Sequence, residues 1–415
     1  MRILFIGTEV SLKNSPEGIV SRALVEGFIK NGCTVDLVSP VLPDSIAGVS
    51  EYFTYDAKEN FFVNKLHKKI TGFEGGGFYD YCCNLIDSIN LENYNLVFIR
   101  SDPVSLHKIA LHVNEKSSIQ CVCSFGDVGS VNPYYKGGLL TQLRKKNLVD
   151  LEQKIIGRGN IITQTNQRSI DLYQEAGFDI SRFQVLPNPI VSTVDRSQPL
   201  LSAEALSGYS PAIAECYNEV SNASLKHTHN VAFIGSFYGE RKPDRMLDYF
   251  ADREDVALHV FGGVRNILFE KKGMLYQWMK EKGLKELRDN AKKRGVKNFY
   301  IWPFMPIALI NSLITNRFDG LINVDADFNP NPFLSSKVVQ YLSYGKSVFN
   351  FSNEGATVDL LRESGIDYFI DYSSPAKDSR SYEALSALTR PKVDLADYYS
   401  REAVTRRFLN HLAVK

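Results

Sequence analysis

The chain alternates short apolar runs, each the length of a β-strand, with longer segments of helical periodicity, and it does so in two series. Such alternation is typical of a parallel sheet covered by helices, because each parallel connection needs a crossover. The sequence therefore predicts an α/β protein with two doubly wound domains. The predicted strands are Ile3–Gly7, Thr34–Ser39, Leu96–Arg100, Gln120–Ser124, Asn160–Gln164 and Phe183–Pro187, then Asn230–Ser236, Ala257–Gly262, Phe299–Trp302, Gly320–Val324 and Ser347–Phe351.

A segment rich in Ser, Ala and Pro interrupts this rhythm between the two series. A length of 415 residues also exceeds what one hydrophobic core usually organises. The predicted domains are 1–190 and 229–397, with 191–228 as an insertion or linker and 398–415 as a helix that packs back on the first domain.

The bulk properties exclude several classes of protein. A formal net charge of +1 argues against a general nucleic-acid binder, which usually has a basic excess. The sequence has no apolar run of the ~18–20 residues that a membrane-spanning helix needs. The six cysteines form no CxxC pair of the metal-binding type. These observations predict a cytoplasmic protein without a disulfide framework or a structural metal site.

A proline-rich loop runs into Ser335-Ser336-Lys337 and then into a short helix that ends near Gly345. The start of such a helix would direct backbone N–H groups, two hydroxyls and an ammonium to one point, which suits a phosphate group. The alternative is an ordinary serine cap beside a solvated lysine.

The whole segment from Asn331 to Val348 resembles the nucleotide-sugar loop of GT-B glycosyltransferases, in particular the large retaining GT4-like group, where the pattern Pro-Ser-Lys-x-x-Glu-Tyr-x-x-x-Gly-Lys-Pro-Val recurs. The resemblance implies the GT-B fold, with two tandem Rossmann-like domains facing across a cleft. It implies that the second domain binds a nucleoside diphosphate sugar and that the first presents the acceptor. It also implies that cations replace a divalent metal, so that neither a metal nor a cofactor is needed.

In the second domain, Ser335, Ser336 and Lys337 match the family positions that contact the diphosphate and sugar of the donor. Gln340 stands where the family usually has a glutamate that binds the ribose hydroxyls. The family often has an acidic residue eight positions before that glutamate, where this chain has a proline. Asp325 or Asp327, a little upstream, is a candidate to replace it, although both also suit a plain turn.

The loop after the strand Asn230–Ser236 resembles the family motif Gly-Arg-x-x-x-x-Lys, whose two cations hold the leaving diphosphate. Ser236 replaces the arginine here, and Arg241 matches the lysine. Positive charge at this point would stabilise the diphosphate as the glycosidic bond breaks. Gly262 matches a glycine turn at which the nucleotide approaches the backbone, although a glycine after a strand is common in any α/β fold.

The first domain resembles the family less closely. GT4-like enzymes have a Gly-Gly pair where this chain has Glu17-Gly18, and Gly18 would meet the donor phosphate or the acceptor. Where the family often has Phe-His-Asp, this chain has Phe125-Gly126-Asp127, so the imidazole is lost and the carboxylate is kept. Asp127 would orient an acceptor hydroxyl or bind the sugar; a plain turn aspartate is the alternative.

Two basic segments with apolar residues, 61–70 and 139–146, suggest a peripheral contact with an anionic membrane, although charge runs are usually solvated faces. The resemblance as a whole predicts a metal-independent glycosyltransferase, retaining, that acts on a glycan or lipid-linked glycan acceptor in bacterial surface polysaccharide synthesis. Two alternatives remain open. One is a non-catalytic GT-B module that binds a sugar nucleotide or glycan, and the other is a GT-B epimerase of a sugar nucleotide.

Overall fold

The computed structural model describes residues 1–11, 16–40, 45–55, 77–100, 104–192, 194–262, 274–375 and 377–413, and within the helix at 274–293 it describes side chains from residue 281 onward. The described chain forms two compact units. The first unit contains 1–191, 332–336 and 396–415, and the second contains 192–331 and 337–395. Most of the segment predicted as an insertion, 191–228, therefore contributes to the second unit.

The first unit contains a parallel sheet with the order β3-β2-β1-β4-β5-β6-β7 among its described residues. The strands are β1 (Arg2–Gly7), β2 (Thr34–Pro40), β3 (Val49–Tyr55), β4 (Leu96–Arg100), β5 (Cys121–Ser124), β6 (Ile161–Gln164) and β7 (Phe183–Val185). The α-helices of this unit are Pro16–Lys30, Gly77–Ser88, Lys108–Lys116, Leu139–Gly157, Gln167–Glu175 and Arg401–Ala413. Chain order reverses between β1 and β4, which makes this the switch point where ligands bind in such sheets.

Both faces of this sheet are buried, which explains why its central strands read as continuous apolar runs. Leu4 and Ile6 of β1 lie in one hydrophobic cluster, and Ile3 and Phe5 lie in another. The C-terminal helix closes the second cluster, where Phe408 packs edge to face on Phe28.

The second unit contains a parallel sheet with the order β10-β9-β8-β11-β12. The strands are β8 (His229–Ile234), β9 (Val256–Phe261), β10 (Phe299–Trp302), β11 (Gly320–Val324) and β12 (Ser347–Phe351). The α-helices are Ala203–Leu206, Pro211–Ser224, Asp244–Tyr249, Met274–Lys293, Ile307–Arg317, Ser336–Leu342, Ala356–Glu363 and Tyr382–Thr389. In this sheet the order reverses between β8 and β11, so the loops after these two strands meet at one edge.

The predicted α/β architecture is confirmed, and every predicted strand is present with its ends moved by at most two residues. The strand β3 was not predicted. Its residues are mostly exposed or half-buried, so it lacks the apolar run that marks the buried strands. Edge strands of this kind give a weak sequence signal.

Candidate functional site

Lys337 and the end of β8 form the centre of the candidate site in the second unit. The Lys337 ammonium donates a hydrogen bond of 3.0 Å to the main-chain oxygen of Ile234 and lies 5.0 Å from the centre of the Phe233 ring. The next residue, Gly235, has a φ of 150°, and a Cβ atom there would collide with the ammonium. The glycine is therefore needed both for its backbone conformation and for the space that Lys337 occupies.

The environment of Lys337 favours the neutral amine. Burial, the largest cause, and the positive charge of Arg241 together lower its pKa from 10.5 to about 7, against the opposing effect of the negative charge of Asp325. Lys337, Arg241 and Asp325, which the sequence indicated as separate candidates, thus lie close enough for their charges to interact.

Arg241 belongs to a tight turn after β8. The backbone groups of Tyr238 and Arg241 bond to each other in both directions, N–H to O, at 3.1 and 2.9 Å. The turn places the guanidinium over the Tyr238 ring, with 5.1 Å to its centre. The Nε atom of Arg241 is buried without a hydrogen-bond partner, so the side chain has an unused donor in the site.

Asp325 follows β11 directly and carries the negative charge of this cluster. Its side chain is 1% exposed, and neither carboxylate oxygen has a hydrogen-bond partner. Arg241 supplies a nearby cation, with a terminal nitrogen 3.8 Å from one of these oxygens. Buried acceptors without donors are costly, so the two oxygens of this carboxylate are unused acceptors of the kind that mark a candidate site.

The loop that carries Asp325 is held by hydrogen bonds from neighbouring side chains. Tyr372 donates a hydrogen bond of 2.7 Å to the main-chain oxygen of Asp325. Asn353 donates one to the Asp327 carboxylate, also at 2.7 Å, and Asn331 donates one of 3.0 Å to the Ala326 oxygen. Asp327 is thereby engaged in the loop itself, which favours Asp325 as the ligand-facing member of the pair.

Ser335 and Ser336 are placed differently from Lys337. The short stretch 332–336 belongs to the first unit, where Asn166 and Ser169 donate hydrogen bonds of 2.9 and 3.0 Å to the Pro332 oxygen. Ser336 is the first residue of the helix Ser336–Leu342, as predicted. The roles of both serines in donor binding remain predictions.

Gln340 has partners within the second unit. Its amide oxygen accepts from the Ser192 N–H at 3.2 Å, and its amide nitrogen donates to the Ser192 oxygen at 3.1 Å. A third bond of 3.1 Å joins the same nitrogen to the Ser343 hydroxyl. The predicted contact with a ribose would require this side chain to give up bonds that anchor the segment around Ser192.

Gly262 and Ser236 gain less support as donor-binding residues. Gly262 has a φ of 90°, and the Phe304 ring occupies the position of an added Cβ. The ring thus covers the backbone that the nucleotide was predicted to approach. Ser236 lies half-buried beside Gly235 in the loop after β8.

In the first unit, the loop after β5 places Asp127 at the surface, consistent with a ligand-facing position. The loop is anchored by Glu152, which is 2% exposed. The Glu152 carboxylate accepts bonds of 2.9 Å from the Ser130 N–H and the Tyr173 hydroxyl, and Tyr173 in turn accepts from the Gly129 N–H at 2.9 Å. Burial raises the pKa of Glu152 from 4.5 to about 7.

The sequence reading overlooked an ion pair at the switch point of the first sheet. The guanidinium of Arg100, the last residue of β4, donates to the Glu17 carboxylate at 2.6 and 3.3 Å. Arg100 is 1% exposed. The available signal was a charged residue at the end of an otherwise apolar strand, because such a residue needs a partner when it is buried. Gly18, the predicted contact residue, is buried, and its oxygen accepts from the Ser11 N–H.

Of the two candidate membrane segments, 61–70 lies outside the described residues, and the other lies at the start of the helix Leu139–Gly157. Leu139, Leu140 and Leu143 are 90%, 52% and 45% exposed. Lys145 and Lys146 are exposed on the same helix. Among the helices that the structure describes, none is both long and apolar enough to cross a bilayer.

Comparisons with known proteins identify the fold. Sucrose-phosphate synthase from Thermosynechococcus elongatus matches with a TM-score of 0.64 over 100% of both chains at 10% identity. HepE of Anabaena in complex with UDP-glucose matches at 0.60 over 100% of both chains with 13% identity, and WaaG, a glycosyltransferase involved in lipopolysaccharide biosynthesis, at 0.55 over 100% of this chain and 95% of the other with 14% identity. No protein-family model and no curated protein sequence matches. The chain has the fold of these enzymes, the GT-B fold, as its sequence predicted.

Proposed function

We propose that the protein is a glycosyltransferase that moves a sugar from a nucleoside diphosphate sugar to a hydroxyl group of a glycan or lipid-linked glycan. The observation that carries this proposal is the cluster of Arg241, Lys337 and Asp325 at the carboxyl ends of β8 and β11. A partly buried pair of cations at a switch point suits a diphosphate, and a carboxylate with two unused acceptors suits sugar hydroxyls. Solved structures of the same fold include HepE with UDP-glucose.

In the proposed reaction the acceptor hydroxyl oxygen bonds to the anomeric carbon, and its proton passes to an oxygen of the diphosphate. The bond between the anomeric carbon and the diphosphate breaks, and its electron pair stays with the departing phosphate oxygen. Arg241 and Lys337 stabilise the charge that develops there, so neither a resident metal nor a cofactor is required. Ser335 and Ser336 assist at the helix start, and Asp127 orients the acceptor hydroxyl. The resemblance to GT4-like enzymes supports retention of anomeric configuration.

The setting that we propose is bacterial surface polysaccharide synthesis at the cytoplasmic face of the membrane. Solved structures of the same fold include WaaG and the lipopolysaccharide outer core galactosyltransferase WaaB. The exposed leucines and lysines at the start of the helix Leu139–Gly157 suit a peripheral contact with anionic lipid.

The proposal is tested by a thermal-shift panel with UDP, GDP, dTDP and CMP, each with Mg²⁺ and with EDTA. A ligand at ~100 times its Kd adds about 2.7 kcal/mol to the free energy of unfolding, so binding is easily detected. We expect one diphosphate to raise the melting temperature independently of metal. The shift should disappear in Arg241→Ala and Lys337→Ala.

Lys242→Ala is the matched control, because Lys242 adjoins Arg241 but its side chain is 66% exposed. Wild-type binding in both site variants would contradict the site. Binding without release of nucleotide from any nucleotide sugar would favour the non-catalytic module, and a sugar nucleotide product formed without an acceptor would favour the epimerase.

A further inference from the structure

We propose that Glu17 is a second substrate-contacting carboxylate, held by Arg100 so that it accepts a hydrogen bond from a sugar hydroxyl group. This inference rests on the proposed function and adds a substrate contact from the first unit. The motivating feature is a buried arginine that directs its donors toward a carboxylate that is not itself buried.

The position of the pair comes from the topology of the first unit. Glu17 lies in the first turn of the helix Pro16–Lys30, which follows β1, and Arg100 is the last residue of β4. These strands are neighbours, and chain order reverses between them. Ligands of doubly wound sheets bind outside the carboxyl ends of the strands at this point.

Arg100 acts as a scaffold for the carboxylate. Its Nε and one terminal nitrogen donate to the two oxygens of Glu17 at 2.6 and 3.3 Å. The other terminal nitrogen donates to the Ser124 hydroxyl at 3.0 Å. The terminal nitrogen that bonds Glu17 also donates a longer bond of 3.4 Å to the Asn188 side-chain oxygen. A guanidinium engaged on all three nitrogens has little freedom, so it fixes the orientation of Glu17.

Glu17 keeps acceptor capacity for a ligand. Its side chain is 25% exposed, whereas that of Arg100 is 1% exposed. An ionised carboxylate has about four acceptor positions, and the two bonds from Arg100 leave the remainder available to a hydroxyl donor. Arg100 therefore orients the Glu17 carboxylate, whose exposed part remains accessible to a ligand.

The loop after β5 packs closely against the Glu17 carboxylate through Gly126. A Cβ atom at Gly126 would lie 2.8 Å from a Glu17 oxygen and 3.2 Å from a terminal nitrogen of Arg100. Any side chain at this position would press on the pair, so Glu17 and Gly126 are matched. This contact links two of the positions at which the chain departs from the family pattern, both of them in the first unit.

The test compares Glu17→Gln with wild type. The change keeps the size of the side chain and an acceptor for Arg100 but removes the charge. Affinity is measured by calorimetry for UDP and UDP-glucose, and likewise for GDP and GDP-mannose and for dTDP and dTDP-glucose. The rate at which nucleotide is released from each nucleotide sugar is measured without an acceptor and with each of a panel of mono- and disaccharide acceptors.

We expect Glu17→Gln to bind the free nucleotide with unchanged affinity. Either its affinity for the nucleotide sugar or its acceptor-dependent rate of nucleotide release should fall about ten-fold or more. If the hydroxyl belongs to the donor, the affinity for the nucleotide sugar falls. If it belongs to the acceptor, that affinity stays and acceptor-dependent release falls. Glu17→Asp should recover part of either loss.

Glu26→Gln is the control, because Glu26 lies on the same helix, pairs with Arg401 and is similarly exposed at 22%. It should leave every binding property unchanged. Wild-type behaviour of Glu17→Gln in both sugar-dependent measurements, with normal nucleotide binding, would overturn the inference. If the wild-type protein binds none of these nucleotides, that result would instead contradict the proposed function.

Discussion

The ammonium of Lys337 donates a 3.0 Å hydrogen bond to the main-chain oxygen of Ile234, although the two residues are 103 positions apart. The bond joins the helix Ser336–Leu342 to the carboxyl end of β8 and fixes the amine beside Arg241. A partly buried amine next to another cation is held near its neutral form, and an incoming diphosphate would reverse that balance.

Nucleotide binding should therefore take up a proton through Lys337. Its pKa is lowered from 10.5 to about 7, so at pH 8 the free protein holds this amine largely neutral. A bound diphosphate favours the charged form and raises the pKa again. Calorimetry in two buffers of different ionisation enthalpy at pH 8 should show uptake of nearly one proton.

The Lys337→Met variant should show no such uptake, and Lys242→Met should retain it. Uptake that is equal in wild type and Lys337→Met would assign the proton to another group.

Replacement of Gln340 by Glu distinguishes a structural role, the hydrogen bonds to Ser192, from the predicted contact with a ribose. Gln340 donates an amide N–H to the Ser192 oxygen, and a carboxylate cannot do so. We expect the variant to lose roughly 1–3 kcal/mol in free energy of unfolding, because two acceptors then face each other at a partly buried position. Chemical denaturation measures this loss, and Gln340→Ala serves as a comparison. Tighter nucleotide binding in the glutamate variant would instead support a ribose contact.

Glu152 should make the stability of the protein depend on pH. Its pKa is raised from 4.5 to about 7, so between these values the folded protein holds a proton that the unfolded chain releases. The free energy of unfolding should therefore decrease as pH rises from about 4.5 to about 7, by roughly 3 kcal/mol from this group.

The Glu152→Gln variant lacks this titration, so its stability relative to wild type should be greater at pH 8 than at pH 5. Denaturant melts at both pH values measure the difference. Parallel pH profiles for the two proteins would show that Glu152 is not the group responsible.

The leucines at the start of the helix Leu139–Gly157 should determine binding to anionic vesicles. Replacing Leu139, Leu140 and Leu143 together by Ser removes exposed apolar side chains and should weaken binding at least ten-fold, since burial of each in lipid is worth about 1.5–3 kcal/mol. Sedimentation with vesicles of phosphatidylglycerol and phosphatidylcholine measures this. Leu225→Ser, at a 66% exposed leucine of the second unit, should have no effect.

Part of the site was predictable because it depends on local signals. The strands are marked by apolar runs, and loops after neighbouring parallel strands must meet at one sheet edge. The meeting of Arg241, Lys337 and Asp325 follows from those two facts. The structural partner of Gln340 was not predictable in this way. Its position in a motif predicts a ribose contact but does not reveal that its amide group forms hydrogen bonds with the backbone of Ser192.

The sequence by itself determined the two α/β units and the cationic edge of the second sheet, because hydrophobic periodicity and strand-end position are properties of neighbouring residues. Only the tertiary structure decided that Arg100 holds Glu17 across 83 positions and that Gly126 makes room for both. It also decided that Phe304 covers Gly262. Such contacts arise from the packing of loops whose conformations no local pattern specifies, and packing selects one arrangement from many that the same residues would allow.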